Sequence, residues 1–371
     1  MKEKTKKIRL TSYGRNAALS YGLVTIAFIV MTILNSAGIT TNSLRGQLVP
    51  ICVYIVLAVS LNLVVGISGE LSLGHAGFMS IGAFSGVVAS ACLAKTIPAA
   101  MPRLFVAMIV AGIIAGIAGF LIGIPVLRLR GDYLAIVTLA FGEIIRNILN
   151  VIYIGLDGAG LHVATSVEGL KLWPTGQVLL NGPMGATGIQ KLSTFTAGYI
   201  LIMFTLFVVQ NLINSKQGRA IMAIRDNRIA AESVGLSATH FKMTAFVTSA
   251  ALAGMAGALF GLNYSTVAPV KFNFNTSILI LVFVVLGGMG NIVGSIISAT
   301  VLTILPEALR QFADYRMLAY AIVLILVMLA TNNMELRALI DKYTAKILGI
   351  FKKKNKSSAD ADLETMEGGQ N

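Results

Sequence analysis

The ionisable residues inside the apolar stretches of this chain are few, and they are the first candidates for chemistry. Glu143 and Arg146 lie three residues apart in one such stretch. A helix would place them on one face, where they can pair. Ionisable side chains at membrane depth are costly, and they face the interior of a bundle or water. We therefore assign both residues to a polar path through the protein, with a purely structural ion pair or a gate as the alternative.

A glycine-rich break between two apolar stretches is the second candidate. Residues 66–77 have the sequence Gly-Ile-Ser-Gly-Glu-Leu-Ser-Leu-Gly-His-Ala-Gly, and Asn62 precedes them. A bent, partly buried loop of this composition can present polar groups to a solute. We assign Asn62, Glu70 and His75 to the same path. The alternative is an ordinary tight turn at the surface.

Another break interrupts the apolar residues 276–305. This stretch is too long for one straight span, which needs about 20 residues, and Gly287-Gly288-Met289-Gly290-Asn291 lies within it. The pattern predicts two short membrane segments that turn at the glycines, with one kinked helix as the alternative. Because irregular backbone inside a membrane is typical of a pathway lining, Gly287, Gly288 and Asn291 join the predicted path.

The basic stretch at residues 215–242 has the composition of a docking element. Within it, residues 218–235 show helical spacing, with Ile221 and Ile224 on one side and charged residues on the other. A short amphipathic helix between two membrane spans can dock into another protein, and a solvated connector is the alternative. The residues assigned to docking are Arg219, Arg225, Arg228, Ala230, Ala231, Glu232 and Gly235.

Residue patterns for catalysis or nucleotide binding are missing from the sequence. It contains no Gly-x-x-x-x-Gly-Lys-[Ser/Thr] motif of the kind that cradles phosphates. Its three histidines are far apart along the chain, and Cys52 and Cys92 fall inside apolar segments. We therefore predict no catalytic residue, no cofactor and no metal site. If ATP drives this protein, another chain must bind it.

The composition indicates a chain whose solvent is mostly hydrocarbon. Of the 371 residues, 56% are hydrophobic and 12% are charged, whereas a soluble domain has about 25% charged residues. The net charge of +13 is consistent with Lys and Arg on the cytoplasmic side of a membrane protein. No basic stripe is interleaved with aromatics, as nucleic-acid binding would need. These features predict an all-α polytopic protein in a lipid bilayer, with no nucleic-acid partner.

Long apolar runs define the predicted spans. Single spans are expected at residues 17–37, 47–66, 76–94, 104–127, 134–154, 196–214, 243–263 and 317–333. Together with the two short segments in 276–305, they make about ten transmembrane segments. Within one span, glycines at small-xxx-small spacing predict close helix packing; they are Gly112, Gly116, Gly119 and Gly123.

The charges of the connections set the predicted orientation. Basic residues exceed acidic ones in 215–242 but not in the long connection 155–195, so the first is predicted to be cytoplasmic and the second external. Both termini are then cytoplasmic. The predicted regions are a basic N-terminus, a transmembrane permease domain, and a polar, partly disordered tail; they cover residues 1–16, 17–333 and 334–371.

Taken together, these stretches resemble the LivM-type permease subunits of branched-chain amino acid ABC importers. The matching sequences follow the family's order between residues 45 and 330, at 61–78, 128–146, 218–235, 250–259, 285–294 and 305–310. Ala230-Ala231 followed by Gly235 is similar to the core of the loop by which such permeases contact their ATPases. Ile229 stands where that loop usually opens with Glu.

The resemblance implies a multi-pass permease of the bacterial inner membrane that is not itself an enzyme. It implies a heterodimer with a second permease subunit, two cytoplasmic ABC ATPase subunits, and an extracytoplasmic solute-binding protein that delivers leucine, isoleucine or valine. One alternative is a permease of the same family for another small solute, such as urea or a short-chain amide. Another is an ion-coupled secondary transporter.

Overall fold

The computed structural model describes most of the predicted membrane domain. The described residues are 12–38, 41–129, 131–158, 160–170 and 176–309, with single positions at 318, 321, 322 and 325. The chain divides into two compact units, Met1–Ala308 and Leu309–Asn371, and the architecture below is that of the first. Apart from those single positions, the predicted span at 317–333 and the tail at 334–371 lie outside the described residues.

Helices make up most of this unit. They are Ser12–Ser36 (α1), Asn42–Asn62 (α2), His75–Cys92 (α3), Ala100–Val126 (α4), Asp132–Val151 (α5), Phe195–Asn214 (α6), Lys216–Asp226 (α7), Arg228–Ser233 (α8), Ala238–Gly261 (α9), Phe274–Gly287 (α10) and Ile292–Ala308 (α11). In the described part of the chain, eight helical segments are long and apolar enough to cross a bilayer, and α11 is a shorter apolar helix. The predicted helical, polytopic membrane protein is thereby confirmed.

Small residues set how closely the central helices α3, α4 and α9 approach one another. A side chain at Gly82 of α3 would overlap the backbone of Gly254 in α9. A Cβ at Gly254 would in turn lie 2.7 Å from the carbonyl oxygen of Ala111 in α4. Close backbone contact of this kind gives membrane helices the van der Waals packing that holds them together.

The predicted glycine ladder of α4 lies at this interface. At Gly112, Gly119 and Gly123, a Cβ would stand 2.7, 2.6 and 2.7 Å from side chains of α9. At Gly116 the nearest α9 side-chain atom is 3.4 Å away. Close helix packing at these positions is confirmed.

The apolar stretch 276–305 forms two helices, as predicted, and its glycines make the turn between them. α10 ends at Gly287 and α11 begins at Ile292. Gly288 and Gly290 have φ angles of +88° and +83°, in the left-handed region that glycine enters without strain. The Oδ1 atom of Asn291 accepts a hydrogen bond from the Gly294 amide at 3.1 Å, which caps the first turn of α11.

A small antiparallel sheet, which we did not predict, lies between the helices in sequence. Its order is β2-β1-β3-β4-β5, and its strands are Tyr153–Leu156 (β1), Leu161–Ala164 (β2), Gln177–Asn181 (β3), Ala186–Thr187 (β4) and Thr266–Val267 (β5). The fifth strand follows α9, so Ala186 pairs with Val267 across a long sequence separation. Strands of two to five residues are too short for a period-two pattern to mark them.

The sheet and the α7–α8 stretch define two faces of the helical bundle. α6 begins shortly after β4 and ends directly before α7, so the sheet and α7 lie at opposite ends of one membrane helix. We call them the sheet face and the coupling face. That the coupling face is cytoplasmic remains a prediction from loop charge.

Gly254→Leu is expected to prevent stable folding, because the new side chain would have to displace the backbone of α4. Overpacking of a dense core costs about 1–3 kcal/mol, and a clash with backbone belongs at the upper end of that range. The measurements are the recovery of monodisperse protein after detergent extraction and its thermal unfolding midpoint. The matched control is Gly22→Leu in α1, where a Cβ would meet nothing within 4 Å. Equal recovery of the two variants would contradict the prediction.

Candidate functional site

The predicted docking stretch folds as two short helices, which corrects the single amphipathic helix that its spacing indicated. α7 ends at Asp226, and Asn227 leaves the helical conformation with φ −152° and ψ 99°. Its side-chain Oδ1 then accepts a hydrogen bond from the Ala230 amide at 3.0 Å. Asparagine is a favoured N-cap, so this one residue ends one helix and starts the next.

Ala231 and Gly235 fold α8 back onto the bundle. Gly235 has φ +87° and follows the end of α8. The Leu236 amide donates to the Ala231 carbonyl, and the Gly235 amide donates to the Glu232 carbonyl, both at 3.0 Å. This pair of bonds is the helix-ending motif that favours glycine. Because Ala231 is also buried against Ile224, the Ala-x-x-x-Gly spacing is explained by packing and by the turn.

The outer side of α8 carries exposed apolar side chains. Ile229 and Val234 are 82% and 76% exposed, and Ala230 is exposed beside them. Arg228 Nε donates to Glu232 Oε1 at 2.8 Å within the same helix. A cluster of exposed apolar side chains rimmed by charge is typical of an interaction site. We call Ile229, Ala230 and Val234 the α8 surface.

The two predicted docking arginines of α7 point in different directions. Arg219 is exposed, and its Nη1 donates to the carbonyl oxygen of Asn214 at the end of α6, at 3.1 Å. Arg225 reaches towards the bundle, where its Nη1 donates to the carbonyl oxygen of Gly66 at 2.9 Å. Its Nε and Nη2 donate to Asp226 Oδ1 at 3.0 and 2.9 Å. Arg225 therefore binds its own chain more than it faces outward.

Asn62 lies where α2 meets the turn between α10 and α11. It is 1% exposed. Its Oδ1 accepts a hydrogen bond from the Gly290 amide at 2.8 Å, and its Nδ2 donates to Ser295 Oγ at 3.0 Å. Beyond Asn62, the chain continues as a π-helical turn, Leu63–Ile67. Wider turns of this type are frequent at functional sites.

The glycine turn itself completes this cluster. A side chain at Gly287 would overlap Gly294 and Ser295 of α11, so α10 and α11 meet here without side chains between them. Gly288 provides left-handed backbone, and Asn291 caps α11. The structure thus brings Asn62, Gly287, Gly288 and Asn291 together. We call residues Asn62, 287–291 and Ser295 the helix-break cluster.

Glu70 lies just beyond the π-helical turn and binds α9. Its carboxylate pairs with Lys242 near the start of α9, and both side chains are largely buried. Its amide donates to the carbonyl oxygen of Val64 at 3.1 Å. The ion pair fixes the loop between α2 and α3 at the coupling face.

His75 lies apart from the helix-break cluster. It is 3% exposed, and its Nε2 is 2.9 Å from Ser60 Oγ. The Ser60 carbonyl in turn accepts a hydrogen bond from Ser249 Oγ at 2.6 Å. The structure therefore places His75 in a buried contact between α2, α3 and α9, and not beside the other predicted path residues.

Glu143 and Arg146 form the ion pair that their spacing indicated. Arg146 Nη2 is 2.6 Å from Glu143 Oε2, and the two side chains are 25% and 32% exposed respectively. α5 buries few of its residues against the rest of the chain, namely Leu134, Ala135 and Thr138. The pair therefore lies on a largely uncovered membrane helix, separate from the helix-break cluster.

A cavity of about 670 Å³ lies beside the helix-break cluster, within the size range of small-molecule sites. Arg225, Gly290 and Asn291 line it together with amide side chains of α6 and several apolar side chains. The further lining residues are Leu19, Ser20, Ile67, Gln210, Ile213, Asn214, Met222, Met289, Ile292 and Val293. Such a lining combines hydrogen-bonding groups and one cation with apolar walls.

Lys242 and Ser295 contribute to the site but were not assigned to it from the sequence. Lys242 is one of the basic residues of 215–242, and the signal for its pairing is the acidic Glu70 in another connection. Ser295 is a single hydroxyl in an apolar stretch, which gives almost no signal. In the described ranges, no group of three or more His, Cys, Asp or Glu side chains is placed to hold a metal ion.

Comparison with known proteins gives consistent matches over most of the chain. Residues 43–331 match the family described as "Branched-chain amino acid transport system / permease component". The chain is 37% identical to the high-affinity branched-chain amino acid transport system permease protein LivM of Salmonella typhimurium. It is 38% identical to LivM of Escherichia coli. Each of these alignments covers 288 residues, which is 75% of this chain but only 66% of the relative.

A more distant relative is the permease protein BraD of the high-affinity branched-chain amino acid transport system of Pseudomonas aeruginosa. It is 27% identical over 253 residues, which cover 67% of this chain and 79% of that protein. No solved structure matches the chain.

Asn62→Leu is expected to destabilise the protein by about 1–3 kcal/mol, because the Gly290 amide and the Ser295 hydroxyl would lose a buried partner. The measurement is the thermal unfolding midpoint of the full chain in detergent. Thr32→Ala is the control, because it removes a hydrogen bond within one exposed helix. An unfolding midpoint of Asn62→Leu equal to that of Thr32→Ala would refute the role given to Asn62.

Proposed function

The chain belongs to the branched-chain amino acid transport permease family, and we propose that it is one membrane-spanning subunit of an ATP-driven importer of leucine, isoleucine and valine. The family match across residues 43–331 is the observation that carries this proposal. The helix-break cluster and the α8 surface both lie in the matched range. They provide a candidate for the pathway and a candidate for its coupling to a motor.

The proposed assembly contains a second, related permease subunit, two ATPase subunits and a solute-binding protein. The sequence has no phosphate-binding motif, so ATP is expected to bind to separate subunits. The α8 surface, exposed on a six-residue helix, supports docking of an ATPase at the coupling face. The solute-binding protein is expected at the opposite, sheet face. The assembly would lie in a bacterial inner membrane, with the coupling face in the cytoplasm.

The proposed mechanism is alternating access driven by the ATPases. ATP binding would draw the two ATPases together and shift the α7–α8 stretch that contacts them. The helix-break cluster is the part of the bundle best suited to respond, because short broken helices can reorient where continuous helices cannot. A ligand can change the balance between two such states only through its different affinity for each.

The proposed solutes fit the chemistry of the cavity beside the helix-break cluster. A branched-chain amino acid has a carboxylate, an ammonium group and a short aliphatic side chain. The amide groups of Gln210 and Asn291 offer partners for the charged end, and Ile213 and Met222 offer apolar contact. We assign this cavity to the coupling-face end of the translocation path.

The test of the function is uptake by cells that lack the gene. Deletion should abolish high-affinity uptake of radiolabelled leucine, isoleucine and valine, and the full chain supplied in trans should restore it. In proteoliposomes of the purified complex, uptake should require ATP and stop with orthovanadate. If the complex takes up urea and not leucine, the proposed solute is wrong. If a protonophore abolishes uptake while ATP is still present, the transporter is coupled to an ion gradient and is not driven by ATP.

Replacing the two large apolar residues of the α8 surface should detach the ATPase. Ile229→Asp with Val234→Asp puts two carboxylates where the partner is expected to bury apolar side chains, and we expect ATPase co-purification to fall by about tenfold or more. The measurement is the amount of ATPase recovered with the affinity-tagged chain. The control is Val163→Asp, an exposed apolar residue of β2 at the sheet face. Unchanged recovery with the double variant would remove the α8 surface from the interface.

Glu143→Gln should reduce uptake more than assembly. The change removes the acceptor charge for Arg146 on a membrane helix and leaves the size of the side chain unchanged. We expect the uptake rate to fall by roughly fivefold or more, with complex yield near that of the wild type. Glu168→Gln, in the connection at the sheet face, is the matched control. Normal uptake kinetics of Glu143→Gln would show that the ion pair is structural only.

A further inference from the structure

Arg225 connects α7 with the membrane bundle through a hydrogen bond that is long-range in sequence. Its guanidinium Nη1 donates to the carbonyl oxygen of Gly66 at 2.9 Å, across 159 residues of sequence. Gly66 lies in the π-helical turn Leu63–Ile67. Carbonyl groups at the end of a helix have no amide partner within it, so a guanidinium is a suitable donor.

Gly69 leaves the space through which the Arg225 side chain passes. Gly69 has φ +74°, and a Cβ at this position would lie 2.6 Å from Arg225 Cγ and 3.3 Å from Arg225 Cδ. Any residue larger than glycine would therefore push the arginine stem away from Gly66. The Gly69 backbone and the Arg225 side chain are therefore in close contact.

The opposite side of Gly66 touches the helix-break cluster. A Cβ at Gly66 would overlap Asn62 Oδ1 and the Gly290 amide nitrogen, and it would stand 2.9 Å from Gly290 Cα. Asn62 Oδ1 is the atom that accepts the hydrogen bond from the Gly290 amide. Gly66 thus lies directly between the arginine of α7 and the turn that joins α10 to α11.

The loop after Gly66 is held by a second attachment. The Glu70 carboxylate pairs with Lys242 of α9. Because Glu70 is anchored to α9, a displacement of α7 cannot be absorbed by free movement of this loop. Such a displacement instead acts on the π-helical turn, whose i→i+5 hydrogen bonds make it wider than the α-helix before it.

We propose that Arg225 is a positioning residue that couples α7 to the helix-break cluster through the Gly66 carbonyl. This rests on the proposed function, and it separates Arg225 from the residues that dock the ATPase. An ATPase that moves α7 would pull on Gly66, and Gly66 would shift Gly290 and the ends of α10 and α11. The α8 surface binds the partner, and Arg225 passes the movement on.

The test compares three variants in the full complex. Arg225→Met keeps a side chain of similar length but removes all donors, Arg225→Lys keeps one charged donor, and Lys216→Met changes an exposed residue of the same helix. We measure ATPase co-purification, ATP hydrolysis and the number of ATP molecules hydrolysed per leucine imported. Coupling free energies between sites correspond to roughly 5- to 150-fold effects.

We expect Arg225→Met to keep its ATPase and its ATP hydrolysis, while ATP consumed per leucine rises by about tenfold or more. Arg225→Lys should recover part of the loss, and Lys216→Met should match the wild type. Loss of the ATPase from Arg225→Met would overturn the inference, because Arg225 would then be a docking residue. An unchanged ratio of ATP to leucine would overturn it as well.

Gly69→Ala provides an independent test that leaves Arg225 in place. The added methyl should displace the arginine stem and raise ATP consumption per leucine as Arg225→Met does. Gly188→Ala is the matched control, because Gly188 has φ +67° and a Cβ there would meet nothing within 4 Å. Equal behaviour of the two alanine variants would overturn the inference, since backbone strain would explain both.

The failure of this inference differs from the failure of the proposed function. If the wild-type chain recovers no ATPase and supports no ATP-driven uptake, the proposed function fails. If the wild-type chain does both, and Arg225→Met and Gly69→Ala leave the ratio of ATP to leucine unchanged, only the role of Arg225 fails.

Discussion

The close approach of Gly66 to Asn62 and Gly290 is the contact on which the coupling face depends. With no side chain at Gly66, the π-helical turn lies directly against the turn between α10 and α11, and Asn62 can accept a hydrogen bond from the Gly290 amide. The carbonyl oxygen of the same residue accepts a hydrogen bond from Arg225. One glycine thereby joins α7 to the irregular backbone between α10 and α11. A side chain there would overlap Asn62 Oδ1 and the Gly290 amide nitrogen.

Two kinds of contact hold the bundle together, and they serve different purposes. The central helices α3, α4 and α9 meet at glycines and alanines, where packing is dense and no polar atoms need a partner. The helix-break cluster and the Glu70–Lys242 pair are held by a few directional bonds. Dense apolar packing resists deformation, whereas a small number of hydrogen bonds can be exchanged at little cost. Movement is therefore expected at the helix-break cluster and not where α3, α4 and α9 pack together.

The helices could be predicted from the sequence because hydropathy alone determines them. Spans such as α4 and α6 begin and end within a few residues of the apolar runs that indicated them. The break at 287–291 also followed from the sequence, since the apolar stretch 276–305 is too long for one span and glycines interrupt it. The Ala230-Ala231 and Gly235 spacing located the docking stretch, although the N-cap at Asn227 that divides it was overlooked.

The contacts that make the site could not be predicted in the same way. Asn62 and Ser295 are 233 residues apart, and Arg225 and Gly66 are 159 apart, so no local pattern relates them. Helical spacing placed Arg225 among the docking residues but could not give the direction of its side chain. His75 was assigned to the path because it is a polar residue in a glycine-rich break, yet its partner is Ser60 of the preceding helix. The sheet was missed because its strands are so short.

The division of roles within α8 has an evolutionary consequence. Ala231 and Gly235 are held by packing and by a left-handed turn, whereas Ile229 and Val234 are almost fully exposed. Substitutions at the exposed positions can accumulate without disturbing the membrane domain. Under the proposed docking role of the α8 surface, a cell with several related importers could vary these exposed positions so that each permease binds its own ATPase, while duplicated transmembrane domains remain nearly unchanged.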